Sequence, residues 1–221
     1  MSARGHDARY GEVLLFPGPS ELARRLPPLV VGVVAIGVAI GLSVRADLGL
    51  APWDVFHQGL AEATGTSIGA VVIVVGLVVL LAWIPLRQRL GIGTVVNTLS
   101  VGLIADLTLA TVDEPSALPL RWAFLLVALV VFGLGGGLYI GAGLGPGPRD
   151  GLMTAIAARG QRLWVVRTAL EVSVLLAGWA LGGRVGIGTL LIALSIGPLT
   201  HWALRRFHLP VHEDHGEVLG E

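Results

Sequence analysis

The chain has no cysteine and no lysine. Without cysteine there is no disulfide framework and no thiolate metal site. Without lysine there is no Schiff-base chemistry, and a phosphate-binding loop lacks the amine it needs. All 15 cationic side chains are therefore arginine. Charge of either sign is scarce: 14% of the 221 residues are charged, against about 25% in a soluble domain. Formal net charge is zero, so nothing in the balance favours a nucleic acid as partner. The 32 glycines and 12 prolines follow no Gly-X-Y period, which excludes collagen. Catalytic signatures are missing too. No G-x-S-x-G or H-E-x-x-H occurs, and no nucleophile–base arrangement stands out, so the expected role is not enzymatic.

What is present is apolar sequence. Hydrophobic residues make up 54% of the chain and mean hydropathy is +0.80. A bilayer core needs about 20 largely apolar residues per helix. Uncharged runs of that order cover 26–44, 63–86, 122–148 and 185–204. A shorter run, 90–105, continues in apolar pattern past Asp106 to residue 112. A sixth candidate, 163–182, is interrupted by Arg167 and Glu171. Arginine placement supports all six. With the N-terminus inside, the inner segments hold Arg4, Arg9, Arg24, Arg25, Arg87, Arg89, Arg149, Arg159, Arg162, Arg167, Arg205 and Arg206. The outer loops hold only Arg45, Arg121 and Arg184. Cationic residues concentrate on the cytoplasmic side of membrane proteins, so both termini are expected there, with Glu62 outside. The charged N-terminal stretch does not read as a signal peptide.

Self-comparison reveals a duplication. At an offset of 96, Gly41-Leu42 matches Gly137-Leu138. Ala46, Leu48 and Gly49 match Ala142, Leu144 and Gly145, and Pro52 and Asp54 match Pro148 and Asp150. After a one-residue gap, Gly91-Ile-Gly-Thr94 matches Gly186-Ile-Gly-Thr189. Each half reads as a glycine-spaced span, a Pro-x-Asp loop, a short helix (about 53–63 and 149–159) and two further spans. Three spans per half invert the second half relative to the first. The expected fold is all-α: six transmembrane helices in two inverted three-helix repeats, each with a short non-spanning helix. The divisions are a tail over 1–25, repeats over 26–112 and 121–206, and a tail over 207–221. Inverted repeats with broken helices are typical of secondary transporters.

The stretch Gly41-Leu-Ser-Val-Arg-Ala-Asp-Leu-Gly-Leu-Ala-Pro-Trp-Asp-Val-Phe-His-Gln-Gly-Leu resembles the YczE-like family of bacterial integral membrane proteins. Gly91-Ile-Gly-Thr-Val-Val-Asn-Thr does so as well. That family is grouped loosely with the YyaS and YitT membrane proteins. The resemblance spans residues 27–205 and implies a bacterial plasma-membrane protein, with no substrate attached. The second copy departs at Arg149, where the first has Trp53, so the two loops need not act alike.

Candidate site residues are few, and most carry two readings. Pro52 with Asp54, and Pro148 with Asp150, fit a helix start: proline suits the first position, and aspartate complements the positive end of the helix dipole. They equally fit two acidic groups facing a central cavity from opposite sides. Asp106 and His201 occupy matched positions towards span ends. They are either headgroup-level residues or an ion- or proton-coupling pair. Glu171 sits one turn after Arg167, as a structural i,i+4 pair would, or contacts substrate. Asn97 is an interhelical hydrogen bond or a substrate contact. Arg45 and Asp47 flank the end of the first span and read as interfacial. The glycines from Gly133 to Gly151 read as close helix packing followed by unwound backbone. The tail histidines, His208, His212 and His215, read as solvated, so no metal and no cofactor is expected. The expected function is a small-molecule or ion permease with a site between the repeats. The alternative is a membrane accessory protein that supports another complex or pathway. Partners are the lipid bilayer, the unknown small molecule or ion, and a membrane-protein partner or second copy.

Overall fold

We describe the protein from a computed structural model covering residues 17–209. The remaining two tail histidines, His212 and His215, fall outside the described residues. Among those described, eight helices form and no strand: α1 Pro19–Ala46, α2 Pro52–Thr64, α3 Ile68–Leu86, α4 Ile92–Thr111, α5 Leu118–Gly141, α6 Pro148–Ala157, α7 Leu163–Ala180 and α8 Ile187–Phe207. Six of them are long and apolar enough to cross a membrane: all but α2 and α6. At about 1.5 Å per residue, the 13 residues of α2 and the 10 of α6 fall well short of a hydrocarbon core about 30 Å thick.

Several helix ends depart from the charge-bounded runs, each for a backbone reason. The run starting at residue 63 contains the last turn of α2 and a break. Gly65 closes α2 with φ 69°, and the Ser67 side chain accepts from the Ala70 N–H to start α3. α5 ends at Gly141 because Gly143 and Gly145 take φ 65° and 121°. α1 begins at Pro19 and so carries Arg25 inside the bundle. That guanidinium is fully buried and donates to Glu21 Oε2 at 2.7 Å, to the Ala142 carbonyl at 2.9 Å and to the Leu209 carbonyl at 3.3 Å. α7 accommodates its two charges by pairing them, Arg167 Nε to Glu171 Oε1 at 2.8 Å.

Glycine sets how the long helices meet. α1 and α5 run antiparallel: Gly32 touches Gly135 and Tyr139, while Ala46 packs with Leu125 and Leu129. On the flank of α1, Gly37 and Gly41 lie against Ile104 and Thr108 of α4, where a Cβ would come within 2.6 Å of either. On the flank of α5, Gly133 lies against Leu199 of α8, 2.6 Å from such a Cβ, and Gly137 meets Ala203. The expectation that Gly133 and Gly137 mark a close helix approach is met, with α8 as the partner. Small residues permit such approach where lipid supplies no hydrophobic drive.

The short helices cross over. α2 lies against α7, and α6 against α3. The two contacts are built differently. In one, the ring of Trp83 on α3 fills the space that a Cβ of Gly151 on α6 would take. In the other, Gly178 on α7 makes room for the Val55–Phe56 backbone of α2. A ring fills the first contact, whereas the second is a close backbone approach in which Gly59 of α2 meets the Gly178 carbonyl.

The Gly-Ile-Gly-Thr segments open α4 and α8, and each is capped by the other half of the chain. The first N–H groups of a helix have no partner within it. Gly93 N–H donates to the Leu144 carbonyl at 2.7 Å, and Gly188 N–H to the Leu48 carbonyl at 2.7 Å. The Thr94 hydroxyl accepts from Gly91 N–H at 3.3 Å and donates to the Pro146 carbonyl at 2.8 Å. Thr189 likewise accepts from Gly186 N–H at 3.2 Å. Gly91 and Gly186 lack a side chain because the Leu144 and Leu48 carbonyls stand where their Cβ atoms would be. The Leu-Gly loop and the Gly-Ile-Gly-Thr helix start are thus two sides of one contact, made twice.

Candidate functional site: a mixed-charge cavity

A cavity of about 530 Å³ lies among the helices, within the range of about 300–1,000 Å³ common to small-molecule sites. Its walls come from both halves and are mainly apolar, and they include Val72, Val75 and Val79 of α3 and Ile192 and Ile196 of α8. Its polar lining gathers near the loop that holds Leu144. Arg149 and Asp150 come from the first turn of α6, Asn97 from the second turn of α4, and Tyr139 from the last turn of α5. Arg167 and Glu171 of α7 and His201 of α8 complete it.

The first turns of α2 and α6 explain the placement. Pro52 and Pro148 open these helices, with Asp54 and Asp150 in their first turns. Both prolines reach the cavity wall. The residues between them meet: the Arg149 guanidinium lies over the Trp53 ring, 5.8 Å from its centroid. A cation over an indole face is attracted by the ring quadrupole. The position at which the two Pro-x-Asp copies differ is therefore the position at which they touch.

The aspartates part company. Asp150 is exposed, and it lines the cavity. Asp54 is 2% exposed and is not part of the cavity wall. Successive helix residues point about 100° apart, so turning Trp53 and His57 towards the cavity leaves Asp54 behind them. There its carboxylate faces His57 Nδ1 at 3.4 Å. The expectation of two cavity-facing aspartates is corrected to one. Of the two readings for Asp106, the placement fits the headgroup-level one and not a cavity site. It lies away from the cavity at the start of α3, where it accepts from the Gly69 N–H at 2.8 Å and the Ser67 hydroxyl at 2.6 Å. That contact follows from α3 and α4 meeting glycine to glycine, Gly69 on Gly102. Its matched residue, His201, does line the cavity, as do Asn97 and Glu171.

Trp53, His57, Tyr139 and Arg149 were not among the candidates from sequence. Trp53 and Arg149 did carry a signal, because they are the mismatch inside an otherwise matched motif. Arg25 and Arg121 carried another: they too stand 96 apart. Arg25 holds the end of α5, and Arg121 holds the end of α1, donating to Asp47 Oδ2 at 2.8 Å. Asp47, in the left-handed region at φ 52°, also pairs with Arg184. Arg45 donates to the Leu109 carbonyl of α4.

Residues 23–205 match a family of unknown function, DUF6198. The chain belongs to that family. It is 41% identical over 180 residues to a Haemophilus influenzae protein described only as uncharacterized, covering 79% of this chain and 83% of the other. It is 33% identical over 174 residues to the uncharacterized membrane protein YczE of Bacillus subtilis, covering 78% and 80%. It is 26% identical over 193 residues to the uncharacterized protein YyaS of the same organism, covering 84% and 92%. No solved structure matches. The YczE-like resemblance read from the motifs is borne out, and with six candidate spans the chain is an integral, multi-pass membrane protein. In family terms, the conspicuous Leu-Gly and Gly-Ile-Gly-Thr motifs carry the contact between the halves, while the Pro-x-Asp motifs border the cavity.

Proposed function

We propose that the protein is a permease for a small molecule, with its site in the cavity between α1–α4 and α5–α8. Its role is binding and passage rather than catalysis. The observation that carries this reading is the wall of the cavity: charged side chains from α6 and α7 project into an otherwise apolar interior. Ionisable groups within membrane proteins are costly and tend to mark a pathway or site. Support for an inverted-repeat architecture comes from the reciprocal contacts. α4 starts on the Leu144 loop as α8 starts on the Leu48 loop, and each half contributes three candidate spans. Inverted repeats around a central site recur in secondary transporters. The arginine distribution favours both termini in the cytoplasm of a bacterial cell. On that orientation the charged wall of the cavity is its cytoplasmic end.

The test is uptake into liposomes reconstituted with the purified protein, using a panel of labelled amino acids, organic amines and organic acids. At least one compound should accumulate above protein-free liposomes. Asp150→Asn should abolish that uptake at unchanged melting temperature, while Asp54→Asn, placed behind His57, should retain it. A single cysteine at Glu62 should react with an impermeant reagent from outside intact cells. No uptake by any panel member, with a membrane protein that co-purifies equally with wild type and Asp150→Asn, would leave the accessory role instead.

A further inference from the structure

Gly147, at the start of α6, leaves a space ringed by oxygen. The point where its Cβ would stand is 3.5 Å from Asp150 Oδ2, 3.6 Å from Asn97 Oδ1 and 3.7 Å from Tyr139 Oη. Three helices thus aim three oxygens at one spot. The Tyr139 hydroxyl spends its proton on the Gly145 carbonyl, at 2.9 Å, so towards this spot it is an acceptor. A carboxylate and an amide oxygen are acceptors too. Among the described residues, Asp150 and Asn97 have no other hydrogen-bond or ion-pair partner. With the Asn97 amide turned as it stands, three acceptor oxygens meet at this spot, an arrangement that suits a group carrying several N–H bonds, as an ammonium does.

The neighbouring cation has the opposite need. Arg149 reaches the same cavity over Trp53, and among the described residues no carboxylate pairs with it. Arg167 and Glu171 already neutralise each other at 2.8 Å. The cavity therefore holds one charge of each sign on adjacent residues, neither of them in a close ion pair among the described residues. An organic amine would leave Arg149 uncompensated, an organic acid would face Asp150, and an inorganic ion would occupy a small part of 530 Å³. We propose that the cavity binds a small zwitterion. Its ammonium sits among Asp150, Asn97 and Tyr139, its carboxylate lies on Arg149, and its apolar body lies along Val75, Val79 and Ile196. This assignment rests on the permease reading for its cavity, and binding is measurable apart from passage.

The test uses two charge series with constant bodies: phenylalanine, 2-phenylethylamine and 3-phenylpropanoate, and leucine, 3-methylbutylamine and 4-methylpentanoate. Affinity for the detergent-purified protein is measured by calorimetry. In at least one series the zwitterion should bind about tenfold or more tightly than either singly charged analogue, as loss of a charge-assisted hydrogen bond implies. Asp150→Asn should erase the preference over the acid, and Arg149→Gln the preference over the amine. Gly147→Ala is the variant that keeps both charges and the fold. Its Cβ meets only ordinary contacts and its backbone, at φ −63°, accepts any residue, yet the methyl narrows the space between the three oxygens that the ammonium enters. It should weaken the zwitterion about tenfold at an unchanged or slightly raised melting temperature. Equal affinities within both series, no binding by any of the six, or stabilisation by sodium over choline chloride without amino-acid binding would each overturn the proposal. Zwitterion binding without uptake would keep it and end the permease reading. Uptake of a singly charged compound without zwitterion binding would do the reverse.

Discussion

Gly145 and Gly147 stand two residues apart in one loop, and the structure gives alanine opposite consequences at the two. At Gly145, φ is 121°, a region that L residues rarely enter, and the added Cβ would come within 2.7 Å of Thr94 Oγ1 and 2.9 Å of Gly91 Cα. Neither neighbour can yield easily, because Thr94 is tied to Pro146 and Gly91 begins α4. A left-handed backbone costs an L residue about 1–2 kcal/mol, and overpacking a fitted contact costs about 1–3 kcal/mol more. Gly145→Ala should therefore destabilise by roughly 2–5 kcal/mol. At Gly147 the same methyl meets nothing nearer than 3.5 Å. The matched position of the first half already carries alanine: Ala51 has φ −60° and ψ 152°, against −63° and 159° at Gly147. Gly147→Ala should be neutral or stabilise by up to about 1 kcal/mol, through lost freedom of the unfolded chain. Both variants can be unfolded side by side in mixed micelles with rising SDS, followed by tryptophan fluorescence. If Gly145→Ala unfolds at the same SDS fraction as Gly147→Ala, the docking of the Leu-Gly loop on α4 is wrong.

Two further predictions concern the ion cluster and the swapped helix contacts. Burial pushes the Asp47 carboxyl up, but hydrogen bonds and charge from Arg184 and Arg121 outweigh it and hold the group below its ordinary value. A depressed native value contributes stability above the unfolded one and loses it as pH falls through the native one. Stability should thus decline with acid below about pH 4, and Asp47→Asn should flatten that decline; equal slopes in melting temperature against pH would refute the cluster. Trp83 donates to the Pro148 carbonyl at 3.1 Å and fills the space beside Gly151. Trp83→Phe should cost about 1–2 kcal/mol and Gly151→Ala should also destabilise. The double variant should lose clearly less than the sum, whereas additive losses would show that the two residues do not share that space.

The long helices were legible because charge is scarce and falls mainly at their ends. The exceptions were silent in that language. Gly65 and Ser67 end one helix and start another without a charge, and Gly143 and Gly145 stop α5 inside an apolar run. Proline and aspartate announced the starts of α2 and α6. Which side of a short helix faces the cavity depends on what it packs against, so Asp54 and Asp150 looked alike in sequence and differ in place. Asp106 carried two readings in sequence, headgroup-level or ion-coupling, because its partners, Ser67 and the Gly69 N–H, belong to the start of a neighbouring helix. Tyr139 was hidden among glycines, and its value comes only from the convergence of α4, α5 and α6.

The crossed capping of α4 and α8 has a consequence for biosynthesis. When the ribosome has made α4, its Gly93 N–H has no acceptor until Leu144 emerges, and the Leu48 carbonyl waits until Gly188 does. The early helices therefore enter the bilayer unfinished, and α8 closes a loop made near α1. A nascent chain stopped before α8 leaves that early loop open, so quality control has a late checkpoint to read. Lesions near the C-terminal end should accordingly expose the Leu48 loop to proteases, far along the sequence from the damage itself.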